Sequence, residues 1–266
     1  DLSWWLPIEI QVEDESKDAV VAFSKVVPAH CQPVNMDSLW NAPVTAIFKN
    51  EYLTPRSPYT TLQLPKQGIG EWCHPKTTAV IDDSGLRKKV RNQLFATPFG
   101  VNFRTPSEGN NIAFTSLWDN YPDSIRVPLT GSASHAYLLM AGSTNHMQCH
   151  IVNGIVKVHY TDGSCDSLEL INPENWCPIE QDFFVDNVAF GIKVPRPYRV
   201  HLLSGLVSNN LEKDLTIKGV YGREIPGGAG VLLDMPLNPK KTLSHLTLET
   251  LSNDVVIGLM SITLQQ

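Results

Sequence analysis

Two segments of the chain combine aromatic rings with carboxylates and amides, the side chains that could hold or hydrolyse a sugar. One is Trp118-Asp119-Asn120-Tyr121-Pro122-Asp123. The other, Asn172–Asp182, carries Asn175, Trp176, Glu180, Gln181 and Asp182. Aromatic faces complement the C–H faces of sugar rings, and the polar side chains fix hydroxyl orientation through hydrogen bonds. Asp119, Asn120 and Asp123 also offer the oxygen ligands that calcium takes. The competing reading is structural: a tight loop in which Asp119 and Asn120 cap their own backbone and Trp118 is core.

Glu180 and Asp182 raise the question of catalysis. Glycoside hydrolysis needs two carboxyls opposed across the scissile bond, about 5–10 Å apart. On extended chain, i and i+2 side chains share a face ~7 Å apart and stand side by side. The spacing therefore favours loop carboxylates over an acid/base pair, and no catalytic residue is assigned. His146, His150 and His159 fall on predicted neighbouring strands, where two of them could meet, but no metal-binding pattern is present. GxSxG is absent. Gly227-Gly228-Ala229-Gly230 lacks a following helix and reads as a turn before a strand. Trp72-Cys73-His74-Pro75 places Cys beside His, but neighbours in extended chain point apart.

Strands must position these segments. Leu6–Val12 alternates apolar and polar residues, Ala19–Val27 is strand or short helix, and Val44–Phe48 and Thr60–Leu64 read as further strands. Lys66–Lys76 is loop-like. Asp82–Leu94 holds the best short helix candidate, with Asp/Ser capping chemistry ahead of Leu86, Val90 and Leu94. Phe95–Phe103 reads as an edge strand or paired short strands. Ile112–Leu117, Ser124–Leu129 and His135–Ala141 follow. Asn153-Gly154, between His146–Val152 and Ile155–Tyr160, is the strongest hairpin signal, and Asp162-Gly163 turns the chain into Ser167–Ile171. That predicts a three-stranded meander. Ala189–Val194, Tyr198–Leu203, Leu215–Tyr221, Gly230–Asp234, Thr242–Thr250 and Val255–Leu264 complete the series. The pattern predicts an all-β fold, an antiparallel β-sandwich or jelly roll. Residues 1–85 read as an N-terminal β-rich segment or small domain, and residues 86–266 as the sandwich.

Composition narrows the function classes. A length of 266 residues allows a sizeable core. The net charge of -6 gives no electrostatic footprint for nucleic acid. No apolar run approaches the ~20 residues of a membrane span. Nineteen prolines against 18% charged residues favour short strands and rigid turns. The five cysteines form no CxxC pair. Cys149 and Cys165 could approach each other on neighbouring strands, but buried reduced thiols are the reading preferred. An opening at Asp1, without Met or signal peptide, suggests a mature product or an excised piece.

Several runs carry a family likeness: PYTTLQLPKQGIGEWCHP, IAFTSLWDNYPDSIRVPL, YLLMAGSTNHMQ, NPENWCPIEQD and TLSNDVVIGLMSITL. From about Pro58 onward the chain resembles the C-terminal β-sandwich region of large secreted glycoside-hydrolase-like proteins of gut Bacteroidetes. The resemblance implies a secreted or periplasmic setting and an upstream catalytic domain in the same protein. It also implies polysaccharide or oligosaccharide as the material handled. The expectation is a non-catalytic module associated with a glycoside hydrolase and contacting glycan. One alternative is a glycoside hydrolase or polysaccharide lyase acting through Asp119, Asp123, Glu180 or Asp182. Another is a scaffolding module that docks through a strand edge or through Trp4-Trp5-Leu6.

Overall fold

The segment VNGIVKVHY puts Val156, Val158 and Tyr160 on one face and Ile155, Lys157 and His159 on the other, and the first set is buried. That period of two is the signature of a strand covered on one side. The computed structural model describes residues 28–49, 66–67, 76–77, 79–117, 120–144, 148–182, 196–217, 223–253 and 255–266. They begin with β1 (Cys31–Pro33), β2 (Lys66–Gln67), β3 (Lys76–Thr77) and helix α1 (Ser84–Lys89). A hairpin of β4 (Leu94–Ala96) and β5 (Asn102–Arg104) follows. Then come β6 (Ala113–Thr115), β7 (Ser124–Pro128), β8 (His135–Thr144), β9 (Val152–Tyr160) and β10 (Cys165–Ile171). The last are β11 (Tyr198–His201), β12 (Leu206–Ser208), β13 (Ala229–Pro236), β14 (Leu243–Thr250) and β15 (Val255–Gln265).

Eight of these strands form an antiparallel jelly roll. One sheet contains the order β6-β15-β8-β13, the other β10-β9-β14-β7. The chain crosses between sheets from β6 to β7, to β8 and to β9, and later from β13 to β14 to β15. The strand pairs β6/β15, β7/β14 and β8/β13 therefore wrap around one barrel axis, as a jelly roll requires. The first sheet is extended to seven strands by β1 on β15 and by β11 and β12 beyond β13.

The two sheets enclose a core that includes Leu138, Met140, Val156, Val158, Leu246, Leu248 and Ile257. A second core lies on the outer face of the seven-stranded sheet. There Tyr137, Leu139, Val200, Leu232 and Met260 are covered by Val44, Ile47, Ile81, Leu86, Phe95, Val101 and Phe103. Residues on both sides of position 85 contribute to this layer. Burial on both faces explains why β8 and β15 read as unbroken apolar runs (AYLLMAG, VVIGLM), while β9 and β14 alternate.

Several local expectations are corrected. Asn153-Gly154 is not a hairpin turn: both residues lie inside β9, paired through Gly154 to Leu170 and Thr250. A Cβ on Gly154 would stand 2.3 Å from Ile257 Cδ1 and 2.8 Å from the Glu249 carbonyl oxygen. The glycine serves close packing, and β9 runs between β10 and β14, so the predicted meander does not form. Asp162-Gly163 does turn the chain, with Gly163 at φ 85° and Asp162 accepting from the Ser164 backbone N–H. Val44–Ala46 is a 3-10 turn, held by Asn111 Oδ1 accepting from the Val44 N–H. The helix is only Ser84–Lys89, because Val90 turns extended at ψ 130°. Of the predicted strand Leu215–Tyr221, residues 215–217 form no strand and follow the 3-10 turn Leu211–Lys213, and the rest lies outside the described residues. Phe95–Phe103 is the paired-short-strand alternative. The predicted strands Leu6–Val12, Ala19–Val27, Thr60–Leu64 and Ala189–Val194 lie outside the described residues, as do Trp4-Trp5-Leu6 and Trp72–Pro75.

Candidate functional site

Jelly-roll winding brings the β6–β7, β8–β9 and β14–β15 connections and the segment after β10 to one end of the sandwich. Hydrogen bonds trace that convergence. The Thr250 N–H donates to the Asp123 carbonyl at 2.9 Å, and Leu251 and Ser252 both donate to the Asn153 carbonyl. The Asn153 side chain accepts from Thr144 Oγ1 and donates to the Gln148 carbonyl, each at 2.8 Å. His150 then donates to the Asn172 carbonyl at 2.7 Å. A residue whose type suggested a turn is thus the buried hub of the loop end, satisfying backbone groups that β9 and its neighbours leave open.

Both sequence candidates lie at this end, with different fates. Trp118 and Asp119 are outside the described residues. Asn120 and Tyr121 are half-buried, and Tyr121 packs on Phe114 with centroids 5.2 Å apart. Asp123 is exposed and accepts from Ser124 Oγ at 3.2 Å. Asn175 Oδ1 accepts from the Ile171 N–H and its Nδ2 donates to the Glu169 carbonyl, so its amide closes the end of β10. Trp176 is corrected outright. It is wholly buried, its six-membered ring lying against the backbone of Gly142, and it presents no face to a sugar. No cluster of three or more His, Cys, Asp or Glu suited to a metal ion occurs among the described residues, Asp123 included.

Glu180, Gln181 and Asp182 sit around a buried arginine that no sequence motif marks. Arg199, on β11, is 1% exposed. Its guanidinium donates to the carbonyls of Gly230, Gln181, Pro178 and Ala229 at 2.8–3.2 Å and to Cys177 Sγ at 2.7 Å. A buried cation is tolerable only when such acceptors replace its hydration. The segment from Cys177 to Gln181 is thereby clamped to β11 and β13. The clamp continues through main-chain bonds from Ile225 N to Glu180 O and from Asp182 N to Arg223 O. Asp182 and Glu212 both pair with Arg223 Nη2, at 2.9 and 2.7 Å.

Burial sets the electrostatics of this cluster. It pushes the Glu180 carboxyl up to about 7, against the pull of its own backbone N–H and of Arg199, with Glu224 adding to the rise. Glu180 Oε2 is shielded from solvent and has no hydrogen-bond partner. Burial likewise pushes the Cys177 thiol up to about 12, even with Arg199 beside it. A thiol so protonated is a poor nucleophile. The only signal available in the sequence was a single arginine within the apolar strand YRVH.

The histidines pair differently from expectation. His159 stacks on His245, centroids 4.4 Å apart, on the exposed face of the four-stranded sheet, while His146 lies outside the described residues. Cys149 accepts from Asn172 at one end of β10 and Cys165 opens the other, so the two thiols do not meet. No described helix is long and apolar enough to cross a membrane. Compared with family models, curated proteins and solved structures, the chain matches none.

Proposed function

We propose that this chain is a non-catalytic jelly-roll module that serves a secreted glycoside hydrolase and contacts glycan. The observation that carries the reading is the placement of Glu180 and Asp182. Both are buried, Asp182 is spent on Arg223, and Glu180 lies within the Arg199 clamp. Carboxylates that cleave a glycosidic bond must flank it across a space the substrate can enter. Asp182 instead holds a connection in place through Arg223, and Glu180 is enclosed beside Arg199. A sandwich that holds its connections in place by hydrogen bonds suits binding and scaffolding.

The test has two arms. Oligosaccharide and polysaccharide panels are titrated into the chain by calorimetry, and release of reducing ends is followed on the same substrates. Binding without turnover supports the module. Turnover that falls at least a hundredfold in Glu180→Gln or Asp123→Asn, with the fold intact, would replace it with an enzyme. Silence across the whole panel would remove the glycan contact and leave scaffolding.

A further inference from the structure

The wet face of the four-stranded sheet gathers basic and imidazole side chains at one corner. Val127, Val158 and Leu246 are buried in the core, so their strand neighbours Arg126, Lys157, His159, His245 and Thr247 point outward. The register sets His245 between His159 and Pro128, and Thr247 between Lys157 and Arg126. Arg126 and Lys157 thus stand about 10 Å apart, with Thr247 between them. Arg126 and Pro128 are exposed, and the others are half-buried.

The charges in this corner are not matched. Lys157 Nζ donates to Glu249 Oε2 at 3.1 Å, which takes up the one carboxylate that β14 offers. Glu169 on β10 lies opposite Ile155, away from the histidines. Arg126 sends Nη2 to His245 Nδ1 at 3.1 Å and pairs with no carboxylate among the described residues. A guanidinium can only donate, so that Nδ1 accepts and the His245 proton sits on Nε2. Ser244 Oγ shares the same Nδ1 at 3.0 Å. Burial, with Arg126 and His159 beside it, lowers the His245 pKa and keeps the ring neutral at pH 7. His159 stacks on that ring and brings its own Nε2 to 3.3 Å from Thr247 Oγ1. An uncompensated guanidinium therefore stands beside a stacked imidazole pair. That arrangement costs folding energy, which an anion bound among these groups offsets.

We propose that this corner of the sheet binds an anionic saccharide through the oxygens of a carboxylate or sulfate group. The Arg126 N–H groups not turned to His245 supply the planar fork that grips two such oxygens. His245 Nε2–H and the Thr247 hydroxyl add neutral donors, and Lys157 keeps two N–H bonds beyond the one given to Glu249. Exposed Pro128 borders the site with apolar surface for the C–H side of a sugar ring. The net charge of -6 disfavours polyanions over the chain as a whole, so affinity for one has to come from a local site. The inference rests on the glycan-contact reading, gives it a substrate class, and places it on the sheet instead of the loop end.

Calorimetry on the full chain tests it, with hexagalacturonate, a κ-carrageenan hexasaccharide and cellohexaose as the carboxylate, sulfate and neutral probes. At least one anionic probe is expected to bind about tenfold or more tightly than cellohexaose. Arg126→Gln is expected to weaken that binding about tenfold or more with the melting temperature unchanged, and the near-isosteric Thr247→Val to weaken it about threefold. Tighter binding of hexagalacturonate identifies the group held as a carboxylate, and tighter binding of the carrageenan identifies it as a sulfate. Cellohexaose binding as tightly as both anionic probes overturns the anionic class and leaves the glycan reading standing. Anionic binding that survives both substitutions overturns the sheet site alone, and its loss in Asp123→Ala would place the sugar at the loop end. No binding of any probe by the unaltered chain overturns the glycan reading and the sheet site together.

Discussion

Replacing Glu180 by glutamine should change how the protein's stability depends on pH. In the unfolded chain this carboxyl titrates near 4.5, and in the folded protein near 7. Between those values the unfolded state has released the proton while the folded state holds it. Stability therefore falls as pH rises, by about 1.4 kcal/mol per pH unit. Across the two and a half units between 4.5 and 7 the loss reaches about 3 kcal/mol, and above 7 it stays constant. Glutamine has no proton to lose, so the variant escapes this slope. Its amide also places an N–H₂ group where Oε2 has no partner, at a fixed cost of about 1–3 kcal/mol. That cost is the same at every pH. The quantity to follow is the stability difference between variant and parent, from urea unfolding monitored by tryptophan fluorescence at pH 4.5 to 8.5. It should shift toward the variant by about 3 kcal/mol across the range. A difference flat to within about 0.5 kcal/mol would show that Glu180 is not held protonated by burial, and the electrostatic account of the clamp would fail.

Arg199→Met should destabilise the chain by about 3–5 kcal/mol in the same assay, because four carbonyls and a sulfur lose their donor inside the protein; a loss under about 1 kcal/mol would mean the clamp is dispensable. Gly154→Ala should cost about 1–3 kcal/mol through its clash with Ile257 and the Glu249 carbonyl, read as a lowered melting temperature. A Gly154→Ala protein that melts like the parent would show that Ile257 gives way and that close packing does not require the glycine. Trp176→Ala should lose about 3–5 kcal/mol as a core truncation, measured by urea unfolding, and should leave any saccharide affinity of the folded fraction unchanged.

Strand existence was legible in the sequence wherever one face is wet. Ile155–Tyr160 and Thr242–Thr250 alternate, with polar residues such as Lys157 and Thr247 on the outer face. Strand pairing was not legible. Asn-Gly is a turn signal because both residues tolerate positive φ, yet here Asn153 is buried as a hydrogen-bond hub and Gly154 makes room for Ile257. Asp-Gly at 162–163 kept the conformation its chemistry favours because nothing packs on it: a Cβ there would meet no atom within 4 Å. The candidate site shows the same division. Residue type placed aromatic and acidic side chains in two connections, but whether such a side chain faces water or core depends on what lies across from it. For Trp176 that is the bare backbone of Gly142, more than thirty residues earlier.

By itself the sequence determined an all-β chain, because short runs of β-branched and aromatic residues punctuated by Pro and Gly can bury their apolar faces only in sheets. Tertiary structure alone decided the jelly-roll order, the second core outside the larger sheet, the Arg199 clamp and the His135–Asp234 pair. Each depends on contacts between residues far apart in the chain. Local propensity carries no information about which distant partner will supply the missing hydrogen bond or fill the facing space.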